Sequence, residues 1–254
     1  MDLSYPNIED LAPITLQEME GVELLNRKDT KFIFPATKVG SLLDYLKDDY
    51  FILELDRNRI SSYYNTYFDT PARICYHEHH NRRMNRYKVR IREYTESGLT
   101  FLEVKFKNNK QRTVKSRMRI ETGTRDLDAS MSGFLDKHSP FSVTQLEPVI
   151  DITFKRITVV NKNHTERATI DIDLLAFNKN GRHSFRHLAI AELKQVGIQS
   201  GSVFKEAIRN NMGHEVRVSK YCIGLSSLEK DLKANQFKPK HLLINKLNKQ
   251  QQYA

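Results

Sequence analysis

The stretch that decides the fold is YKVRIREY at residues 87–94, followed by LTFLEVKFK at 99–107 and TVKSRMRIE at 113–121. In each segment, charged and apolar side chains tend to alternate at every second position, which is the period of a β-strand. The separators Glu96-Ser97-Gly98 and Asn108-Asn109-Lys110 are rich in turn-forming residues. The sequence therefore predicts three consecutive antiparallel strands.

One face of these strands is basic and the other is apolar. Arg90 and Arg92 alternate with Val89 and Ile91 on the first strand. The charged positions of the next two strands are Glu103, Lys105, Lys107, Lys115, Arg117 and Arg119. A face exposed to solvent would explain any single pair of charged residues two positions apart. It does not explain all three strands together, because their apolar residues on the opposite face can pack outward against helices. The charged face is therefore predicted to line an interior.

Further strands are predicted around this meander, giving about eight in all with helices inserted between them. The other predicted strands are 27–34, 60–70, 149–160, 167–177 and 186–195. The first predicted helix begins at Thr15, and the others cover 42–46, 72–83, 127–135, 203–211 and 219–228. This pattern favours an antiparallel α+β domain, and a closed or nearly closed barrel would remove the sheet edges.

The predicted chain organisation has three parts. They are an N-terminal helical segment at 1–24, a main domain at 25–232 and a basic tail at 233–254. The tail is rich in Gln and Asn, and we interpret it as a mobile appendage or a partner-binding segment.

The net charge requires a partner. The chain of 254 residues has 41 Lys and Arg against 31 Asp and Glu, a formal net charge of +10. Nucleic acid, an anionic membrane, nucleotides and other polyanions all suit this sign. Because unpaired buried charge is costly, a cation-lined interior must hold water and a polyanion. A narrow basic interior fits a linear phosphate chain better than a duplex, so no nucleic-acid partner is expected.

The cysteines and the chain ends suggest a location. Cys75 and Cys222 are far apart in the sequence, which favours a reducing compartment over a disulfide scaffold or a zinc ribbon. The N-terminal sequence MDLSYP at 1–6 lacks the basic and apolar regions of a secretory signal, so none is expected, and no run reaches the roughly 20 apolar residues of a membrane span. We therefore expect a cytoplasmic protein.

Six segments, in this order, resemble the VTC domain, the catalytic domain of the vacuolar transporter chaperone polyphosphate polymerases and their prokaryotic relatives. They are RKDTKF (27–32), YFDT (67–70), KVRIR (88–92), FLEVK (101–105), AELK (191–194) and SKY (219–221). The resemblance runs from about Leu25 to Leu228. It implies the triphosphate tunnel metalloenzyme (CYTH-like) fold, an eight-stranded antiparallel β-barrel tunnel with flanking helices. It also implies transfer of the ATP γ-phosphate to a growing inorganic polyphosphate chain, assisted by Mn²⁺ or Mg²⁺.

The resemblance implies roles for individual residues as well. The catalytic positions are Lys31, Arg90, Arg92, Arg156 and Glu192, and the metal-binding positions are Glu192 and Glu103. The substrate-binding positions are Lys105, Lys115, Arg117, Arg119, Lys194 and Lys220, of which Arg117, Arg119 and Lys194 are assigned by strand parity. No side-chain nucleophile is implied, because the acceptor is the terminal phosphate of the chain.

One departure from the superfamily pattern bears on the reaction. Tunnel triphosphatases and cyclases begin with Glu-x-Glu-x-Lys, whereas Arg27 and Asp29 precede Lys31 here. The missing first carboxylate disfavours a triphosphate or polyphosphate hydrolase, and the retained Glu192 disfavours a non-catalytic polyphosphate-binding module. The eukaryotic complexes of the family carry membrane helices, so a membrane-protein partner is a further expectation.

Several side chains allow two interpretations from sequence. The histidines 77, 79 and 80 suggest a metal site, but a surface cluster is preferred. Asp171 and Asp173 either bind metal with Glu192 or pair with Arg167 or Lys155. The aromatic residues of 63–68 either stack on a nucleobase or belong to the core, which is the commoner use of an aromatic strand.

Overall fold

A computed structural model describes residues 5–20, 27–110, 112–197 and 201–252. Within these ranges, twelve strands form one sheet. They are β1 Ala12–Ile14, β2 Arg27–Pro35, β3 Tyr50–Leu53, β4 Ser61–Asp69, β5 Arg86–Tyr94, β6 Leu99–Lys107, β7 Thr113–Ile120, β8 Glu147–Asn161, β9 Glu166–Asn178, β10 Gly181–Ser184, β11 Leu188–Val196 and β12 His214–Glu215. The α-helices are α1 Leu16–Glu20, α2 Val39–Leu46, α3 Ile74–His80, α4 Ser132–His138, α5 Val203–Asn210, α6 Lys220–Leu228 and α7 Lys238–Gln252.

The sheet confirms the antiparallel α+β prediction but corrects the eight-stranded closed barrel. Its main path runs β12-β2-β11-β9-β8-β4-β5-β6-β7, and in the described residues this path is open rather than closed. The short strands β1, β3 and β10 pair off the main path. The edge strand β7 is charged, with Lys115, Arg117 and Arg119 exposed. Charge on an edge discourages pairing with other chains, which is an alternative to closure.

The predicted antiparallel meander of three strands is confirmed. Arg90 of β5 lies opposite Glu103 of β6, and Glu103 lies opposite Arg117 of β7. This register puts the basic positions of all three strands on one face, as the alternation in the sequence predicts.

The opposite face of the meander is a hydrophobic core. Val89 and Ile91 of β5 pack with Leu102 of β6, and Met131 and Leu135 from the α4 region cover them. A second outer core lies where α2 and α5 pack on β2, β8, β9 and β11. The apolar positions therefore pack outward against helices, which leaves the charged positions for the inner side.

Helix α6 fills one end of the inner side. Its buried residues Tyr221, Ile223 and Leu225 belong to a core that also contains apolar side chains of β8 and β11. Gly224 permits this close packing, because a Cβ there would lie 3.0 Å from Ile150 Cδ1 and 3.1 Å from the Ala176 Cβ.

The C-terminal tail is packed, contrary to the predicted mobile appendage. After a short 3₁₀ turn at Asn235–Phe237, α7 begins at Lys238. Phe237, Ile244 and Leu247 are buried in the same core as α6. The apolar residues are spaced at helical intervals among basic and amide side chains, so composition alone concealed an amphipathic helix.

Three further predictions concern the starts of two helices and the first domain boundary. Thr15 and Glu18 form the predicted N-terminal cap of α1, with Glu18 N donating to Thr15 Oγ1 at 3.3 Å. Residues 21–26, which contain the predicted boundary at 24/25, lie outside the described residues, so the domain boundaries stay predictions. Helix α3 begins at Ile74, later than the predicted residue 72, and Asp69 accepts hydrogen bonds from its first turn.

Candidate functional site

The candidate site is the charged inner surface of the sheet, which we call the basic inner face. It comprises Lys31, Lys88, Arg90, Arg92, Glu103, Lys105, Arg156, Asp171, Glu192, Lys194 and Lys220. Curvature brings distant strands together, since Lys31 of β2 interacts electrostatically with Lys88 of β5 and with Lys220 of α6. The structure thus brings together the predicted residues of β2, β5, β6, β8, β9, β11 and α6.

Arg90 is buried and held from two sides. Its Nε donates to Glu103 Oε2 at 2.7 Å, and its Nη1 donates to the Tyr67 hydroxyl at 3.0 Å. Burial opposes ionisation of both partners, but their attraction dominates: Glu103 raises the pKa of Arg90, and Arg90 lowers the pKa of Glu103. The pair is therefore charged, and Glu103 is engaged with an arginine.

Three other cations lie against an aromatic pair. Tyr63 and Phe154 stack with ring centroids 5.1 Å apart. The guanidinium carbons of Arg92 and Arg156 lie 5.1 and 5.0 Å from the Tyr63 centroid, and Lys220 Nζ lies 4.4 Å from that of Phe154. Cation–π contact orients a positive charge without neutralising it. The aromatic contacts therefore leave the charge of all three cations in place, and Arg92 has a neutral hydrogen-bond acceptor, Asn65 Oδ1, at 2.8 Å.

Asp171 is the carboxylate that anchors part of this group. It accepts from Arg156 Nε at 2.6 Å and Nη2 at 2.9 Å, and it also accepts from the Lys220 ammonium. Burial would raise the pKa of Asp171, but Arg156 and Lys220 lower it below its ordinary value. Asp173 pairs with Lys155 at 3.2 Å. Both aspartates therefore form ion pairs with basic residues. The partners of Asp171 are Arg156 and Lys220, not the predicted Arg167 or Lys155.

Glu192 lies between two lysines on β2 and β11. Lys31 Nζ donates to Glu192 Oε2, and Lys194 Nζ is 4.0 Å from Oε1. Burial and the cations of Lys220 and Lys88 lower the pKa of Lys31 to about 7, although the Asp171 carboxylate acts in the opposite direction. Asp29 lies opposite Lys194 in the register. The Arg27 side chain lies outside the described part of the structure.

A metal would find few protein ligands here. In the described ranges, no three His, Cys, Asp or Glu side chains come close enough to hold an ion. Glu192 keeps 24 % of its side chain exposed, whereas Asp171 keeps 4 %. Mg²⁺ is commonly bound through one or two carboxylates together with substrate phosphates, so Glu192 fits a metal that arrives with its substrate.

The histidines of α3 do not form the alternative metal site. His80 is buried, its Nδ1 lies 2.9 Å from Asn81 Oδ1, and its Nε2 accepts from Gln236 N at 3.2 Å. Burial and the cations of Lys88 and Arg86 lower the pKa of His79. The preferred interpretation as a surface cluster is therefore wrong for His80, which helps to pack the C-terminal segment.

The three predicted cations of β7 lie at the edge of the site. Lys115 is opposite Lys105, Arg117 is opposite Glu103, and Arg119 is opposite Phe101. All three β7 residues are exposed, and the Arg117 guanidinium lies 4.9 Å from the Phe101 ring centroid. They share the face of the buried cations but not their environment.

Sequence reasoning missed Lys88 and the polar use of the aromatic strand. Lys88 donates to Ser219 Oγ at 2.9 Å, and its parity with Arg90 could have identified it. Tyr63 and Tyr67 face the site, whereas Tyr64 and Phe68 point to the other side of β4. The strand is thus both core and site, a distinction that requires its register.

The sequence model of the VTC domain family matches residues 26–229, which are most of this chain. A comparison with curated proteins finds no match. None of the helices in the described residues is long and apolar enough to span a bilayer.

Two solved structures are similar to this chain. A candidate adenylyl cyclase from Hippeastrum, described as having a dominant triphosphatase activity, is 11 % identical, with 81 % of this chain and 97 % of that chain covered at a TM-score of 0.50. A candidate adenylate cyclase from Bacillus halodurans is 11 % identical, with 77 % and 96 % covered at a TM-score of 0.47. The fold is that of the triphosphate tunnel (CYTH-like) proteins, and this chain belongs to the VTC domain family.

Proposed function

We propose that the protein is a polyphosphate polymerase that transfers the γ-phosphate of ATP to the end of an inorganic polyphosphate chain. Membership of the VTC domain family supports a phosphoryl-transfer or hydrolysis enzyme acting on polyphosphate or nucleoside triphosphates. The observation that carries the proposal is the set of buried and half-buried cations on the basic inner face. Arg92, Arg156 and Lys220 lie against aromatic rings, and the carboxylates nearby are fewer than the cations. Such a face is stabilised by a ligand with many negative charges.

The reaction asks the protein mainly to position two phosphate groups and to offset charge. An oxygen of the terminal polyphosphate unit attacks the γ-phosphorus, the bond to the β-phosphate oxygen breaks, and ADP leaves. Arginine forks at positions 90, 92 and 156 suit bidentate contacts with phosphate oxygens. Lys31, Lys105, Lys194 and Lys220 add mobile point charges, so the face can offset charge as it develops on the transferring group.

A divalent ion, Mn²⁺ or Mg²⁺, would be held by Glu192 together with substrate oxygens. When bound, such an ion neutralises phosphate charge and orients the oxygens. Glu103 stays a second predicted ligand, although its carboxylate accepts from Arg90. Metal binding at Glu103 would therefore compete with that ion pair.

The choice of acceptor separates the proposal from hydrolysis. A carboxylate at the position of Arg27 would help to orient a hydrolytic water, and this chain has none there. Asp29, opposite Lys194 in the register, is one methylene shorter than the second glutamate of the superfamily pattern. The described triphosphatase activity of the Hippeastrum protein keeps a triphosphate hydrolase as the second candidate.

The cytoplasm is the proposed location. A membrane-protein partner is proposed only for the case in which the product crosses a membrane.

The test is to incubate the purified full chain with ATP and Mn²⁺ and to separate the products on a gel stained for polyphosphate. The polymerase proposal predicts a ladder of long chains. Release of orthophosphate alone would favour the hydrolase, and no turnover with intact polyphosphate binding would favour a binding module. The exposed Arg182 of β10 provides the matched control, because Arg182→Ala removes an arginine outside the basic inner face.

A further inference from the structure

Tyr67 lies on the basic inner face, although nothing in the charge pattern identifies it. It is 6 % exposed, close to the 7 % of Arg90, its partner in the register. Its hydroxyl oxygen accepts from Arg90 Nη1 at 3.0 Å. An oxygen that accepts from arginine still carries a proton of its own, which needs an acceptor.

The charged groups that act on this phenol cannot accept that proton. Burial would raise the pKa of Tyr67, but Arg90, Arg92 and Lys88 together lower it. All three side chains are cations and hydrogen-bond donors. Among the described residues this buried hydroxyl donates to no oxygen or nitrogen, so its proton lacks an acceptor until an anion arrives, and the lowered pKa makes the hydroxyl a stronger donor.

The ring of Tyr67 is supported from behind by α6. Tyr221 stacks on it with centroids 5.1 Å apart at an interplanar angle of 20°. The Tyr221 hydroxyl donates to Asp69 Oδ2, and Asp69 also accepts from the backbone of Cys75 and Tyr76 at 2.9 Å. Asp69 is fully buried, so this anchor fixes Tyr221 against β4 and α3.

The same helical turn places two other side chains in the site. Ser219 Oγ accepts from Lys88, and Lys220 donates to Asp171. The three consecutive residues 219–221 therefore contact side chains of three different strands, Lys88 of β5, Asp171 of β9 and Tyr67 of β4. A shift of this turn would move Lys220 and the support of Tyr67 together.

We propose that Tyr67 is a further substrate-binding residue, whose hydroxyl accepts from Arg90 and donates to a non-bridging oxygen of the bound phosphate chain, with Tyr221 and Asp69 as its positioning residues. This inference rests on the proposed phosphate-binding function of the basic inner face. It adds a neutral donor to a site that sequence reasoning had filled with charged groups alone.

The experiment measures tripolyphosphate binding by titration calorimetry with the full chain. Tyr67→Phe keeps the ring and its stack but removes the hydroxyl, so affinity is expected to fall about tenfold. Tyr64→Phe is the matched control, because Tyr64 lies on the same strand with its side chain on the opposite face. Unchanged affinity in Tyr67→Phe would overturn the inference. Absence of binding by the unchanged protein would instead overturn the proposed function.

A double-mutant cycle tests the positioning role. Tyr221→Phe loses the bond to Asp69 but keeps the stacked ring, and we expect it to weaken binding less than Tyr67→Phe does. If Tyr221 acts through Tyr67, the double variant binds no more weakly than Tyr67→Phe alone. Additive losses would overturn this role. Melting curves with and without tripolyphosphate give a second readout, in which Tyr67→Phe shows a smaller ligand-induced shift even if its own stability changes.

Discussion

Strands β5 and β7 have similar charge alternation in sequence and different environments in the structure. Arg90 and Arg92 of β5 are buried, whereas Arg117 and Arg119 of β7 are exposed. The β5 arginines are bound by Glu103, by the Tyr67 hydroxyl and, for Arg92, by Asn65 Oδ1 at 2.8 Å. The difference shows that position in the sheet, and not charge pattern, decides which cations are preorganised.

For each of these cations, the fixing of its side chain in one orientation (preorganisation) is separate from the neutralisation of its charge by a carboxylate (compensation). Glu103 and Asp171 neutralise part of the charge, while the Tyr63 and Phe154 rings only orient it. A fully compensated face would have no affinity for phosphate, and an uncompensated one would be unstable without it. The central face combines both kinds of contact, whereas the cations of the β7 edge are exposed to solvent.

The largest effect is expected from Arg90→Ala. It leaves Glu103, whose side chain is only 13 % exposed, without its arginine, so the free energy of unfolding should fall by about 3–5 kcal/mol. Tripolyphosphate binding and turnover should both weaken. Urea unfolding and calorimetry measure the two losses. In Arg90→Ala/Glu103→Gln the stability should partly return while binding stays weak; unchanged affinity in Arg90→Ala would show that the face is wrongly assigned.

Glu192→Gln separates binding from chemistry. The carboxylate is the most exposed of the acidic trio formed with Glu103 and Asp171, and it is the proposed metal contact. Turnover should fall on the order of 100-fold, while tripolyphosphate affinity should persist, because a negative charge has been removed. Initial rates and calorimetry provide the comparison. Loss of binding together with turnover would contradict a metal-holding role.

Lys105 tests the cost of an uncompensated cation. Arg90 and then burial lower its pKa well below the ordinary 10.5. Between the folded-state pKa and 10.5 the unfolded chain binds more protons, so the stability contribution of Lys105 rises with pH across that interval. Lys105→Met should therefore stabilise the free protein at pH 7 by on the order of 1 kcal/mol, flatten this pH dependence and weaken polyphosphate binding. Destabilisation at pH 7 by Lys105→Met would refute the explanation.

Arg119→Ala should have the smallest effect. Its side chain is exposed at the sheet edge, so unfolding free energy should change by less than about 0.5 kcal/mol. Affinity for a long polyphosphate should fall by about two- to fivefold at low salt, and the difference should disappear at high salt. Binding curves at two ionic strengths, with Arg182→Ala as reference, give the answer. A loss as large as that of Arg90→Ala would erase the distinction between the two strands.

Much of the fold was accessible from local sequence. Alternation at 87–121 predicted the meander and the outward direction of Val89 and Ile91, because side-chain period and turn chemistry are local properties. Sheet closure was not accessible. The short strands β1, β3, β10 and β12 have two to four residues each, too few for a periodic pattern.

The site was predicted in its charges but not in its contacts. Parity and resemblance identified Arg90, Arg156 and Glu192, whereas the roles of Tyr63 and Tyr67 depend on the register of β4 against β5 and β8. The partner of Asp171 also came from a distant element, since Lys220 lies 49 residues away along the chain. Such long-range pairings are set by tertiary packing, which a single sequence does not display.

The most direct test of the basic inner face is the position of tripolyphosphate bound in a crystal structure of the full chain. We predict electron density along the inner face, with phosphate oxygens about 3 Å from the guanidinium groups of Arg90 and Arg156 and from the Tyr67 hydroxyl. Tripolyphosphate bound only at the exposed β7 edge or on the outer surface, with the inner face empty at saturating ligand, would contradict the assignment of this site.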